Sequence, residues 1–473
     1  MSDTQGTKRQ SERADGQNGE AAHDRQAAGQ HIAADDRPGD TADLGDRSGP
    51  ASAIGADGSS VIDTGDGEDA EMRPADKAGR YYRCDVVVIG GLSTGGLVIW
   101  IDRMTDWEGN HVIQGFAREF IDRMPPAGVA GPPVTDWGSH DPDKAAYWRL
   151  RTSAFHGIVT WAPTLDPERM KLNAQEMMIE AGVRLVFHAW AEEGRVNGVI
   201  FESKHGRQAV MADVVVDTTG DGDVFARAGG SFEDDIEQGD VHHSMNTSFL
   251  IGGVDMPRWL AFRAEQLEQF NQFTALGRER LGFFQTPYVT WRDDIAVFMG
   301  PRQSGLSALD VDDMTEVEIR SHRMMAMHCE FFRANAPGFE NAYMMLSAPQ
   351  LGVRHTRRLV GTDRIERRNW GRGEPSPDEI GVSPSVSPKF PIVSVPYGAL
   401  VPRELDGLLA AGRHISCDAN SHGFMREIPQ CWLTGQAAGV AAALAADRGI
   451  APRAVDPVDI RRVLRQQGAY LHD

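Results

Sequence analysis

The first 80 positions contain no Phe, Tyr or Trp. They carry 17 acidic and 9 basic side chains among Gly, Ala, Ser and Gln, and such a segment cannot bury enough apolar surface to offset its ordering entropy. Residues 1–80 are therefore expected to be a disordered acidic tail, or a segment that folds on a partner. Basic residues are scarce throughout: 48 Lys and Arg against 68 Asp and Glu give a formal net charge of −20, of which −12 lies beyond the tail. That balance argues against nucleic acid as a partner. Cysteine is scarcer still. Cys84, Cys329, Cys417 and Cys431 form no CxxC pair, so the usual spacings of a zinc site or a cysteine-ligated iron–sulfur cluster are absent and a reduced, cytoplasmic setting is expected.

Long apolar runs are missing too. No window of about 18 unbroken apolar residues suggests a membrane span, and the N-terminal region lacks the apolar core of a signal peptide. His242 and His243 are adjacent and would point to opposite faces of a strand, so no metal is expected there. The Asp-rich stretch 219–223 lacks the ligand set of a calcium-binding EF-hand loop. No repeat of fixed period occurs.

What is present suffices for real cores. The 473 residues are 41% apolar, enough for two or three domains at roughly 150 residues each. Order is expected from Tyr81, where Cys84-Asp85-Val86-Val87-Val88-Ile89-Gly90-Gly91 forms an apolar run ending in glycines, the pattern of a strand buried on both faces. Residues 166–180 show helical spacing with Pro167 in the first turn, and a strand is expected over 183–188. A hairpin-like pair follows, 195–203 and 208–217, ending at Thr218-Thr219-Gly220-Asp221-Gly222-Asp223. Residues 232–390 are richer in Met, Phe and helical pattern and interrupt the α/β alternation, as an inserted α+β substrate or cap region would. Met324, Met325, Met327, Met344 and Met345 are expected to pack within it. Strand character returns over 391–400 and 407–411, before a small-residue helix from about Gln436 to Ala446.

Several segments are informative together. They are the strand 85–91, Gly91-Leu92-Ser93-Thr94-Gly95-Gly96, the strand 212–218 with its Thr219-Gly220-Asp221-Gly222-Asp223 turn, and Gly352-Val353-Arg354-His355-Thr356-Arg357-Arg358. Leu408-Leu409-Ala410-Ala411-Gly412-Arg413, Arg426 through Pro429, Cys431, and Gly435-Gln436-Ala437-Ala438-Gly439 complete the set. In this order they resemble the FAD-dependent oxidoreductase family of the glutathione-reductase-like flavoprotein superfamily, whose wider relatives include the heterodisulfide reductase A subunits. The resemblance implies an α/β, FAD/NAD(P)-binding Rossmann-like domain split between 81–231 and 391–473 around the inserted region.

Members of that family usually carry a Gly-x-Gly-x-x-Gly turn, a helix and a second strand after the first strand. Here Gly90-Gly91 runs straight into a segment resembling the one the family places later, as though some tens of residues were deleted at a shared Gly-Gly. The Rossmann-like unit is thus expected to be incomplete at its N-terminal βαβ, and the ADP half of FAD to lack its main cradle. No second Gly-x-Gly-x-x-Gly supports NAD(P)H binding.

The resemblance implies FAD contacts at Gly90, Gly91, Ser93, Thr94 and Gly95; at Thr219, Gly220, Asp221 and Gly222; and at Gly412, Arg413, Gly435, Gln436 and Ala437. The bland readings are a surface turn at 91–96, an Asp-capped helix start at 219–223, and a helix at 435 packed tightly for the fold alone. Arg354 would anchor a substrate or cofactor, and His422 would exchange a proton near the substrate, unless they are a solvated arginine and a loop histidine. Cys431, without a second cysteine nearby, is expected to be a small buried residue. The activity implied is hydride transfer from a small organic substrate to FAD. The alternatives are a non-catalytic, truncated remnant that no longer binds FAD, and assembly with another chain that supplies the cradle.

Overall fold

Three consecutive valines explain the central strand. In the computed structural model, which describes residues 80–90, 95–187, 190–195, 197–235, 243–366, 370 and 375–472, the strand Gly206–Thr218 carries Val214, Val215 and Val216, all fully buried. Val214 and Val216 belong to one core with the long helix Ile428–Arg448, whereas Val215 packs on the other face with Phe225, Leu408 and Ala410. Successive side chains point to opposite faces, so a strand covered on both sides must be apolar at every position. The middle of the sheet is therefore the second arm of the expected hairpin-like pair, and the apolar run expected to be the doubly buried strand, 84–91, lies as far as Gly90 in the neighbouring outer strand instead.

Arg80–Gly90 pairs in parallel along one edge of the central strand, with Gly90 opposite Thr218. On the other edge the central strand pairs first with the antiparallel strand Gly198–Ser203, and then with the parallel strand Leu408–Ala410. Trp190–Arg195 extends the sheet beyond Gly198–Ser203. Among the described residues Arg80–Gly90 has a ladder to the central strand alone. The helix Pro167–Glu180 forms as expected, with Asp166 capping its first turn through Glu168 and Arg169 amides. The strand expected over 183–188 does not form: residues 183–187 are irregular, and Val183, Val186 and Phe187 are exposed without a pairing partner.

The middle of the chain builds a separate antiparallel sheet, in the order Tyr288–Val289, Ile295–Phe298, Phe249–Gly252, Tyr343–Ser347. The helices Met256–Glu265, Leu267–Leu281 and Val311–Asn335 close over it through Trp259, Phe273 and Phe332, and Phe339, just past the last helix, joins the same core. Met325 lies in that core, but Met327, Met344 and Met345 are exposed, so packing accounts for only part of the methionine content. A small three-stranded sheet, Arg302–Gln303, Met245–Asn246 and Gly352–Val353, belongs to the same region.

The return to the first sheet is direct: Ile392–Pro396 pairs with Glu379–Pro384, Leu408–Ala410 joins the central strand, and the chain enters Ile428–Arg448. Ala437, Ala438, Ala441, Ala442 and Ala445 are all buried along that helix, which lets its backbone lie close to the sheet. It starts earlier than the small-residue run suggested. Pro429 occupies the first turn, where its missing amide costs nothing, and Gly435 therefore lies about two turns inside. No helix among the described residues is long and apolar enough to cross a membrane.

Candidate functional site

The turn after the central strand is organised by a buried acid that sequence inspection passed over. Asp217 accepts hydrogen bonds from the Thr219 amide (3.0 Å) and hydroxyl (2.7 Å), and from the Val224 and Phe225 amides (both 3.1 Å). One carboxylate thus folds the loop and caps the short helix Asp223–Arg227. The loop acids are themselves neutralised. Asp221 accepts from Arg413 Nη2 and from the Thr356 hydroxyl, both at 2.7 Å, while Arg357 Nη1 donates to the Asp221 carbonyl and to Asp223 at 3.0 Å.

Above this loop the ends of the sheet open into a cavity of about 540 Å³. Thr218, Gly220, Ala411, Gly412 and Arg413 line its wall at the strand ends, beside Cys431, Trp432 and Gly435 of the long helix. The middle of the chain supplies the remaining wall with Asn246, Tyr288, Met299, Arg302 and Arg354; Val98 and Trp100 also contribute. Glu427 and Ile428, where the long helix begins, complete it with Arg426, Gly352 and Val353. Glu427 precedes the helix without capping it and pairs with Arg426 at 3.0 Å.

Two glycines leave open space toward the wall. A β-carbon at Gly412 or at Gly435 would meet nothing within 4 Å, so backbone is accessible on both elements. Gly412 takes φ +107°, a region that disfavours side chains, and its amide donates to the Thr434 hydroxyl at 3.1 Å. A flat ring could therefore approach the backbone from either element.

The electrostatics are cationic. Arg302, Arg354, Arg413 and Arg426 line the cavity against the single acid Glu427. Burial, reinforced by Arg426 and Arg302, pushes the Arg354 guanidinium down to about 9, so it still carries its charge at neutral pH. Burial raises the Tyr288 phenol and pushes the Cys431 thiol up to about 12. Cys431 is thus a protonated residue on the cavity wall, where the sequence reading expected one simply buried. Among the described residues no group of three or more His, Cys, Asp or Glu could hold a metal ion.

Of the residues singled out beforehand, Gly220, Arg354, Gly412, Arg413 and Gly435 come together on the cavity. Thr219, Asp221 and Gly222 form the loop beside it, and Gly90 ends the neighbouring strand opposite Thr218. Gly95 faces Gln350, while Gly91, Ser93 and Thr94 lie outside the described residues, as does His242. Gln436 turns to Phe116 and Gln467, and Ala437 is buried in the core beneath the helix. His422 is also buried, within the helix Ala419–Met425; its ring centroid lies 4.9 Å from that of His355 and it does not line the cavity. The bland reading of a solvated loop histidine therefore fails for it. Trp100, Asn246, Tyr288, Met299 and Arg302 were missed, and their only sequence signal was the aromatic and cationic content of segments without a motif.

A family profile described as FAD dependent oxidoreductase matches residues 86–464. No curated protein matches the chain. Solved structures that are similar include a triple mutant of the flavin-dependent brominase Bmp2, at 12% identity and a TM-score of 0.32, covering 65% of this chain and 62% of that one. The p-nitrophenol 4-monooxygenase PnpA from Pseudomonas putida DLL-E4 shows 12% identity and a TM-score of 0.35 over 82% of this chain and 85% of that one. A geranylgeranyl bacteriochlorophyll reductase-like protein from Thermoplasma acidophilum shows 10% identity and a TM-score of 0.33, with the same 82% and 85% coverage. The chain thus spans less than two thirds of the brominase it resembles.

Proposed function

The chain belongs to the FAD dependent oxidoreductase family, with FAD as its cofactor, and from that premise we propose that its cavity is where a small organic substrate is oxidised. When bound, FAD supplies the acceptor for the substrate's hydride; the protein supplies orientation, charge and exclusion of water. One observation carries the reading: Gly412 at a strand end and Gly435 on the long helix leave backbone open toward one cavity. Buried Nε atoms of Arg302, Arg413 and Arg426 have no hydrogen-bond partner, which fits a wall made to meet an anionic or carbonyl-rich group.

In this reading Gly412, Arg413 and Gly435 hold the ring system. The loop Thr219-Gly220-Asp221-Gly222 sets Arg413 in place, and Gly90 and Gly95 lie beside the cofactor. The first turn of Ile428–Arg448 offers amide donors and the positive end of a helix dipole at the cavity. Arg354 anchors the substrate from the middle region. His422 acts as a positioning residue: it packs on His355, the chain neighbour of Arg354. The nucleotide half of FAD is held without the usual glycine-rich turn and crossover helix, because only Gly91 to Thr94 separate Gly90 from Gly95 and a parallel crossover needs about a dozen residues.

The test is the visible spectrum of the purified full-length chain, with identification of whatever is released on denaturation. Stoichiometric FAD is expected. A folded, colourless protein that cannot be reconstituted with FAD would instead mark the chain as a remnant that keeps the fold and has lost the cofactor.

A further inference from the structure

We propose that Glu427 is the catalytic base of the cavity and that the substrate is an alcohol with an apolar body, whose hydroxyl proton passes to Glu427 as its carbinol hydride passes to FAD. The inference rests on the reading that this cavity oxidises a small organic substrate with FAD, and it names the substrate class and the proton acceptor.

A substrate that gives up a hydride must also lose a proton, so a base has to face the reacting carbon. Among the described residues that line the cavity, Glu427 is the single carboxylate. The four arginines on the wall have no lone pair to offer a proton. Burial raises the Tyr288 phenol and pushes the Cys431 thiol up to about 12, so both keep their protons at neutral pH. His422 does not line the wall.

The placement of Glu427 suits the task. It precedes Ile428–Arg448 without capping it, so its carboxylate is not spent on the helix amides. Arg426 Nη1 lies 3.0 Å from Oε1, which orients the group and leaves Oε2 for a substrate proton. Glu427, Cys431 and Gly435 recur every four residues and therefore share one helix face, the one turned to the cavity. The base and the open glycine against which the ring lies thus look into the same space.

The facing wall selects the substrate. Arg302 pairs with Asn246 across the small sheet, so the two side chains share a face, and both line the cavity. The buried Nε of Arg302 has no hydrogen-bond partner, which leaves a donor in need of an acceptor. A hydroxyl meets both walls at once: it donates its proton to Glu427, and its oxygen accepts from Arg302 or Asn246. A protonated amine has no lone pair for Arg302, would add a second cation beside it, and would find the charge of Glu427 already balanced by Arg426. The body of the molecule meets Met299 and Trp100, whose indole N–H is committed to the Thr152 carbonyl at 3.1 Å. In the step, the carbinol C–H bond breaks and its electron pair goes to FAD with the hydrogen. The O–H bond breaks and its pair forms the C=O bond, while the proton goes to Oε2 of Glu427. The alcohol loses two electrons to FAD and becomes an aldehyde or ketone.

The experiment uses the purified full-length protein without oxygen, with FAD content measured on every sample. Bleaching of the flavin absorbance is followed with benzyl alcohol, cinnamyl alcohol and cyclohexylmethanol, each against the corresponding amine. Binding is measured separately by calorimetry with phenol, which has a hydroxyl but no carbinol hydrogen, against anisole, in which a methyl group replaces the proton. At least one alcohol is expected to bleach the flavin faster than its amine, and phenol to bind at least about tenfold more tightly than anisole. Glu427→Gln should slow the bleaching roughly a hundredfold or more and abolish the preference for phenol with FAD content unchanged, and Glu427→Asp should recover part of the rate. FAD-replete protein that no alcohol bleaches, that prefers the amines, or that binds phenol and anisole alike overturns the proposal. So does a Glu427→Gln variant that keeps its rate, or one that loses FAD, which would assign Glu427 to the cofactor. The comparisons of alcohol with amine and of phenol with anisole use the unmodified chain, so a variant that fails to fold does not spare the proposal. FAD content separates the two failures: protein without FAD overturns the cofactor reading and this inference with it, whereas FAD-replete protein without an alcohol response overturns this inference alone.

Discussion

Arg413 lies over Gly220 so closely that a β-carbon at position 220 would fall within its guanidinium, and from there Arg413 Nη2 reaches Asp221 at 2.7 Å. The glycine is what allows the arginine to cross the loop and face the cavity. Gly220→Ala must therefore displace Arg413 and also hold a side chain at φ +81°. The strain is worth about 1–3 kcal/mol. A lower melting temperature and at least a tenfold loss of FAD affinity are expected, measured by thermal denaturation and by flavin titration of the apoprotein. Unchanged affinity would show that Arg413 does not serve the cofactor.

Gly435 separates fold from site. It lies inside a helix with open space toward the cavity, so Gly435→Ala should stabilise the apoprotein by about 1 kcal/mol through helix propensity. Gly435→Leu projects a longer side chain into the same space and should abolish retained flavin while circular dichroism stays native. If the leucine variant keeps its full flavin content, Gly435 does not contact the ring.

What could be read from the sequence and what could not divide along physical lines. The triple-valine strand, the glycine turn after it and the Leu408–Ala410 strand were legible because burial on both faces imposes apolar residues at every position, a signal that survives without tertiary context. Gly435 was legible, but its neighbours Gln436 and Ala437 were not separable from it in a linear motif. A helix turns about 100° per residue, so the cavity face carries Cys431, Trp432 and Gly435, while Gln436 and Ala437 point elsewhere. The start of that helix could have been placed at Ile428 from Pro429 alone. Arg302 and Tyr288 were invisible for a different reason: they reach the cavity only through the short sheets of the middle region, whose register sets Arg302 opposite Asn246 and Tyr288 opposite Val297. The Arg302 pairing spans tens of residues, and a two-residue strand such as Tyr288–Val289 is too short to show an alternation, so neither leaves a local spacing to read.

Acid should destabilise the protein through its buried histidines. Burial first, then the neighbouring His243, pushes His355 down from 6.5 to about 4, with Arg413 acting the same way and Asp234 and Asp221 opposing. Burial, then Arg118, lowers His111 to about 4. The unfolded chain therefore binds more protons than the folded one between pH 6.5 and 4, and stability rises with pH across that window. The contribution is complete above pH 6.5 and is lost as pH falls toward 4. Melting temperature should drop steeply over this range, and His355→Phe should flatten part of the slope. A profile that stays flat from 6.5 to 4 in the unmodified protein would contradict the buried neutral state of both rings.

Cys431 stands on the cavity wall, yet its thiol is predicted to be chemically quiet. Burial holds it near 12, and its Sγ donates to the Arg426 carbonyl at 3.5 Å, so almost no thiolate exists at pH 8. Cys417 is likewise pushed up to about 12 by burial, and burial raises Cys329. Iodoacetamide at pH 8 should therefore leave all three unmodified in the native protein and label them only after unfolding, as read by peptide mass mapping. Rapid native labelling of Cys431 would mean that the cavity admits solvent and generates a thiolate there, and would turn attention from the arginine wall to a nucleophilic role for this residue.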